Sequence, residues 1–155
     1  GRDRFGRRLA HLFDDQGRNL AEQLLERGLA YQSPFPANPK FLDCYKEAED
    51  KARLAKRGLW SRPPLDVARI KASTTGFERI AGRVKSVGPD RGGLRLKLEG
   101  GLELLVHAQD LSYFDTAQLT RLTGQRLEVH GWIYRHQGQP RMRLRHPAAI
   151  ISPSL

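Results

Sequence analysis

Gln125-Arg126-Leu127-Glu128-Val129-His130-Gly131-Trp132-Ile133-Tyr134, followed after a Gly-containing break by Arg141-Met142-Arg143-Leu144-Arg145, alternates apolar and polar residues with period two. Successive side chains of a strand point to opposite faces, so one parity of this stretch is a core and the other a surface. Leu127, Val129, Ile133, Met142 and Leu144 take the inner parity. Arg126, His130, Trp132, Tyr134, Arg141, Arg143 and Arg145 take the outer one. Between residues 125 and 147 five arginines face one acid, Glu128, with two aromatic rings among them. An outer wall of cations and rings suits a single-stranded nucleic acid, whose phosphates want Lys or Arg and whose unpaired bases stack. The same alternation also serves as a defence against edge pairing, and Trp132 could pack against another part of the protein instead.

Upstream, the same bookkeeping gives three more strands. Glu78 to Val87 and Gly93 to Leu98 alternate, and Leu102 to His107 follows Gly100-Gly101. Ile80, Val84, Leu94, Leu96 and Leu98 extend the inner set, and Arg79, Arg83, Lys85, Arg95 and Lys97 the outer one. Between the third and fourth strands a short helix is predicted, capped by Asp115, with Gln118 at its third position and Gly124 as its stop. Three strands, a helix and two strands is the order of an OB-fold, a five-stranded Greek-key barrel that often binds oligonucleotides. Residues 77–155 are assigned to it, and the binding surface is expected at Arg83, Lys85, Arg95, Lys97, Trp132, Tyr134, Arg141, Arg143 and Arg145.

Ser61-Arg62-Pro63-Pro64 breaks regular structure, so residues 63–76 read as a linker and residues 1–62 as a separate region. That region opens on a basic turn, with Arg8 to Phe13 as a strand and Asp14-Asp15-Gln16-Gly17 as a turn. A helix follows, capped by Asn19, with Glu22 in capping-box position, Leu20, Leu24 and Leu25 as its apolar stripe and Gly28 as its stop. A second helix starts at Asn38-Pro39 and ends near Arg57-Gly58, with Glu47–Lys51 and Glu49–Arg53 pairs on a solvated side. Cys44, the single cysteine, falls with Ala48, Ala52 and Ala55 on one face, the setting of a small buried apolar group.

The 155 residues carry a formal charge of +10, spread as 15 Lys/Arg against 10 Asp/Glu in residues 1–75 and 12 against 7 in residues 76–155. Neither half is a charged tail, and the balance suits a folded protein drawn to polyanions. No apolar run reaches the roughly 18 residues of a membrane span, and no signal segment opens the chain. His107, His136 and His146 lack ligand spacing, and Asp14-Asp15 lacks the spaced oxygens of a calcium loop, so no metal site is assigned.

Asp3-Arg4-Phe5-Gly6-Arg7-Arg8-Leu9-Ala10-His11-Leu12-Phe13, with Asn19-Leu20-Ala21-Glu22, Gly28-Leu29-Ala30 and Gly58-Leu59-Trp60-Ser61, resembles the staphylococcal nuclease (thermonuclease) family. The resemblance covers about 60 residues, the last strand and last two helices of that domain. It implies a hairpin plus two helices for residues 1–62, which with the barrel read from the strand pattern makes an α+β chain. It implies hydrolysis of DNA or RNA phosphodiesters by a calcium-bound water, a general-base Glu and two arginines that offset transition-state charge. Arg7 matches the second of those arginines, where loss of one such donor costs roughly 2 to 4 kcal/mol. Arg4 and Phe5 match the Lys and Tyr that meet a nucleotide phosphate, although Phe5 has no hydroxyl to donate. Pro34 and Pro36 stand where the family places two tyrosines against the nucleotide.

The metal-binding carboxylates, the general base and the first arginine would all lie upstream of Gly1, leaving this chain without the catalytic carboxylates. The apolar helix faces then need a cover from the second half, from a second chain, or from an upstream half of the nuclease domain. Membership would also suggest export or a periplasmic setting; for Cys44 a second reading, beside the buried apolar one, is a pair with an upstream cysteine in an oxidising compartment. Two other readings stay open: a non-catalytic nucleic-acid-binding module, and a protein-interaction scaffold.

Overall fold

A computed structural model describes residues 1–2, 5–33 and 40–151. The chain forms two compact units, one of Gly1–Gln32 with Lys40–Arg62 and the other carrying the chain from Pro63 onward. No helix among the described residues is long and apolar enough to cross a membrane.

In the first unit, Leu9 N–H donates to Gly1 O at 2.9 Å and Arg2 bridges Arg8 around a turn where Gly6 takes φ +78°. The strand expected over Arg8 to Phe13 is reduced to two isolated bridges, Arg2–Arg8 and Phe13–Asn19, because no neighbouring strand pairs along it among the described residues. Asp14 organises the next turn, its carboxylate taking the backbone N–H groups of Gln16 and Arg18 and the Arg18 side chain. Helix α1, Leu20–Glu26, is capped by Asn19, whose Oδ1 accepts from Ala21 N–H at 3.0 Å. Helix α2 spans Leu42–Leu54. Its expected start at Asn38-Pro39 lies outside the described residues, as do Pro34 and Pro36.

The two helix ends meet backbone to backbone. Leu59 N–H donates to Gly28 O at 2.8 Å, and a Cβ on Gly28, at φ +69°, would stand 2.3 Å from Arg57 O. Only glycine allows both the left-handed turn and that approach. Beside this contact Trp60 packs edge-on to Tyr31, ring centroids 5.2 Å apart.

Helix α2 buries half of the expected stripe, Ala48 and Ala52, and adds Glu49 in place of Cys44 and Ala55, which are exposed. Tyr45 sets that rotation: its hydroxyl takes the Asn19 amide at 3.0 Å and lies 3.0 Å from His11 Nδ1. Glu49 accordingly does not pair with Arg53. The exposed pairs that form are Lys46–Asp50 at 2.7 Å and Arg53–Asp50 at 3.0 Å.

The second unit contains β1 (Leu65–Asp66), β2 (Gly76–Asp90), β3 (Gly93–Leu98), β4 (Glu103–Val106), α3 (Thr116–Arg121), β5 (Arg126–His136), β6 (Gln139–Arg143) and β7 (Ile150–Ile151). Strands β2, β3, β4, β6 and β5 follow one another around a closed barrel, with β2 pairing β5 to complete the ring. All five neighbours are antiparallel except β4 and β6, which run parallel. This is the OB-like barrel expected from the strand order. Its long first strand serves two partners, residues 76–83 pairing with β5 and residues 84–90 with β3, with a register shift between Val84 and Ser86.

Two-residue turns, Arg91-Gly92 and Gln137-Gly138, join β2 to β3 and β5 to β6, all four residues at positive φ. That geometry matches strand twist. Ile80, Val84, Leu96, Leu98, Leu127, Val129, Ile133, Met142 and Leu144 are buried as their parity required, and Leu94 packs against them partly buried. Helix α3 adds Leu119, next to Leu122, to the same core, capped by Asp115 taking Ala117 and Gln118 N–H at 2.9 and 3.1 Å. The stretch read as a linker starts the barrel unit early. Leu65 pairs with Ile80 and Asp66 with Ala81 in parallel, and Val67 is buried in the barrel core.

Candidate nucleic-acid interface

Registers around the barrel place the outer side chains in rows. Tyr134 of β5 lies opposite Arg141 of β6, Arg141 beside Glu103 of β4, and Glu103 opposite Lys97 of β3. Two residues along, Arg143 stands beside Leu105 and Leu105 opposite Arg95. Trp132 occupies the next outer position of β5 and is 68% exposed; Tyr134 is 39% exposed. Neighbouring strands are spaced by ~4.8 Å, so the four-strand rows run ~14 Å from the rings of β5 to the cations of β3. Arg95, Lys97, Trp132, Tyr134, Arg141 and Arg143 therefore share one continuous surface.

Two of the expected cations, Arg83 and Lys85, are not on it, and Arg145 lies at its edge. Arg83 faces out from the β2–β5 pair opposite Arg126 and donates to Gly124 O. Lys85 sits exposed at the register shift of β2. Arg145 follows the end of β6, exposed, close enough to depress the His107 pKa along with Arg143, although burial is the larger cause.

Acids that the sequence reading passed over organise this surface. Glu103, nearly buried, accepts from Arg95 Nη1 at 3.2 Å and from Arg141 Nε at 2.9 Å, and Arg95 Nη2 also reaches Asp90 Oδ1 at 2.5 Å. Asp110 takes Arg143 Nε at 2.8 Å and Nη2 at 2.7 Å. These acids come from β2, β4 and the turn after β4, so strand pairing rather than sequence proximity brings them to their arginines. Two other residues of outer parity turn out buried: Arg79, 3.4 Å from Glu128 Oε1, and His130, whose pKa falls to about 4 chiefly through loss of hydration. Phe77 stands opposite Trp132, ring centroids 6.4 Å apart and edge to face.

In the first unit, the Arg7 guanidinium lies 5.3 Å from the centroid of the exposed Phe5 ring. Arg4 lies outside the described residues. Among the described residues no cluster of three or more His, Cys, Asp or Glu side chains is placed to hold a metal ion.

A barrel with a cationic and aromatic outer face, joined to a turn-and-two-helix unit ending in a glycine-to-glycine contact, defines a chain with an OB-like second unit. Its residues 1–62 match the model of the staphylococcal nuclease homologue family, and that region is staphylococcal-nuclease-like. The same region is 37% identical over 62 residues to the SPbeta prophage-derived endonuclease YokF of Bacillus subtilis (strain 168), covering 39% of this chain and 21% of that protein. It is 36% identical over 62 residues to Endonuclease YncB of the same organism, covering 39% and 29%. The chain thus spans less than a third of either relative. A crystal structure of the S. pombe Stn1–Ten1 complex superposes with a TM-score of 0.38 and 18% identity over 46% of this chain and 60% of that one, from which nothing about function follows.

Proposed function

We propose that the chain is a piece of a thermonuclease-like phosphodiesterase acting on DNA or RNA, in which the OB-like barrel supplies affinity for single strands. The observation that carries this is the β5–β6–β4–β3 surface, where exposed Trp132 and Tyr134 adjoin guanidinium groups held in fixed positions. A double helix keeps its bases stacked on one another; an exposed indole has a partner only where bases are free. Arg7 is assigned the charge-offsetting role at the scissile phosphate, and Arg4 and Phe5 are assigned to substrate binding. Calcium belongs to this proposal only for the larger enzyme, with carboxylates beyond those described. A non-catalytic binding module is the second reading, favoured because the binding surface lies wholly in the barrel and uses no residue of the nuclease-like unit.

Fluorescent single-stranded DNA and RNA, incubated with the chain at low salt in calcium and then in chelator, test both readings through polarisation and cleavage together. Binding is expected in both buffers. Trp132→Ala should weaken it by roughly 1 to 3 kcal/mol, and Arg7→Ala should leave it unchanged. Cleavage abolished by chelator establishes the enzyme, and binding without cleavage establishes the module. Neither signal, or full affinity in the Trp132→Ala protein, sinks the nucleic-acid surface.

A further inference from the structure

The arginines of the barrel surface carry their own counter-charges, which changes what they can recognise. Arg95, Arg141 and Arg143 face Asp90, Glu103 and Asp110, three cations against three anions, so this grid has no net pull on a phosphate backbone. Hydrogen-bond geometry is what it retains. Arg141 spends its Nε on Glu103 Oε2 at 2.9 Å, and its Nη1/Nη2 end has no partner among the described residues. A guanidinium anchored in this way presents two parallel donors in a fixed plane.

Among the bases, guanine offers two adjacent acceptors, O6 and N7, to such a pair. Adenine sets a donor beside N7 and thymine places N3–H between its two oxygens; unpaired cytosine also has adjacent acceptors, N3 and O2, but offers a smaller ring to stack than the guanine purine. The rings needed to hold a splayed base lie alongside: Tyr134 is directly opposite Arg141, and Trp132 is the next outward residue of the strand. Building on the single-strand reading above, we propose that this surface selects guanine. The base stacks on the β5 rings and turns its O6/N7 edge to Arg141, while Glu103 acts as the positioning residue that fixes the guanidinium.

The test uses the full chain and oligothymidine strands bearing one central guanine, adenine or 7-deazaguanine, with affinity read by polarisation across a salt series. Guanine should bind about tenfold more tightly than adenine, and 7-deazaguanine, which lacks N7, should lose most of that gain. Arg141→Lys should bind the guanine and adenine strands alike, since an ammonium is a single point donor. Glu103→Gln is nearly isosteric. It should reduce the preference while steepening the salt dependence by about 0.7, one added phosphate contact on a single strand, a change that mere loosening of the barrel does not produce. If Glu103→Gln melts early, the base-analogue series on the unaltered protein still decides. Equal affinity for all three strands overturns guanine selection and leaves single-strand binding standing; no binding to any strand overturns both.

Discussion

A carboxylate taken out of water holds its proton longer, and Glu49 of α2 is such a group. Its side chain is 7% exposed and accepts Gln32 N–H at 2.7 Å. Loss of hydration pushes its pKa up to about 7, with Asp50 adding to the rise and the Gln32 N–H, Arg53 and Lys46 opposing it. The folded pKa lies above the unfolded one, so the folded state binds the extra proton. The associated stability is full below about pH 4.5 and is lost as pH rises through about 7. Glu49→Gln keeps an oxygen for the Gln32 N–H and removes the titration. It should make the first unit more stable at pH 8 by up to about 3 kcal/mol and little different at pH 4.5. Urea unfolding of the Trp132→Ala background, where Trp60 is the remaining indole, reports this unit by fluorescence at both pH values. A gap between the two proteins that does not grow with pH would reject the buried-acid account. His130 runs oppositely, since its depressed pKa of about 4 means barrel stability present above about pH 6.5 and lost as pH falls through 4.

At the scale of elements, α3 is six residues long and cannot stand on propensity, so its cap and its two leucines must hold it. Asp115 satisfies two of its first N–H groups, and Asp115→Ala should cost about 1 kcal/mol, read as a lower melting temperature of the barrel. An unchanged melting temperature would mean that core packing of Leu119 and Leu122 alone fixes the helix.

Helix α3 was legible from its cap and stop, and four of the barrel strands from period two, which survives wherever one face is dry; β4, buried on both faces, showed only as an apolar run after Gly100-Gly101. The same rule fails for Arg79 and His130, whose outer face is also buried. Helix α2 was legible as a helix but not in its rotation, since small alanines leave several faces equally plausible until the Tyr45 hydroxyl finds Asn19. Strand β1 has two residues, too few for a period to show. The carboxylate partners of the surface arginines were hidden for a topological reason. Arg141 meets Glu103, 38 residues away, through the parallel β4–β6 pair, a pairing absent from any local pattern.

Over the whole molecule, the apolar burial is unequally divided. The buried apolar cluster runs from Val67 to Leu144, sixteen residues, all in the barrel unit. The nuclease-like unit buries Leu25, Ala48, Ala52 and Trp60, while Phe5, Leu12, Phe13, Leu29 and Leu54 stay exposed. A fully buried large apolar side chain contributes about 1.5 to 3 kcal/mol, and ordering each residue costs about as much, so four buried side chains among the described residues, two of them alanines, leave this unit marginal and dependent on the rest of the protein. Residues 63–155 alone should therefore unfold in one cooperative thermal transition and bind oligonucleotides with the affinity of the full chain. Residues 1–62 alone should bind a hydrophobic dye such as ANS, exchange their amide hydrogens rapidly and show no cooperative melt. The dye signal should fall when a polypeptide that covers Leu12, Phe13 and Leu29 is supplied, because burial removes the exposed area the dye occupies. A sharp melt of residues 1–62 alone, with protected amides in α1 and α2, would mean that the Gly28–Gly58 backbone contact and the Tyr45 hydroxyl network hold this unit without a cover.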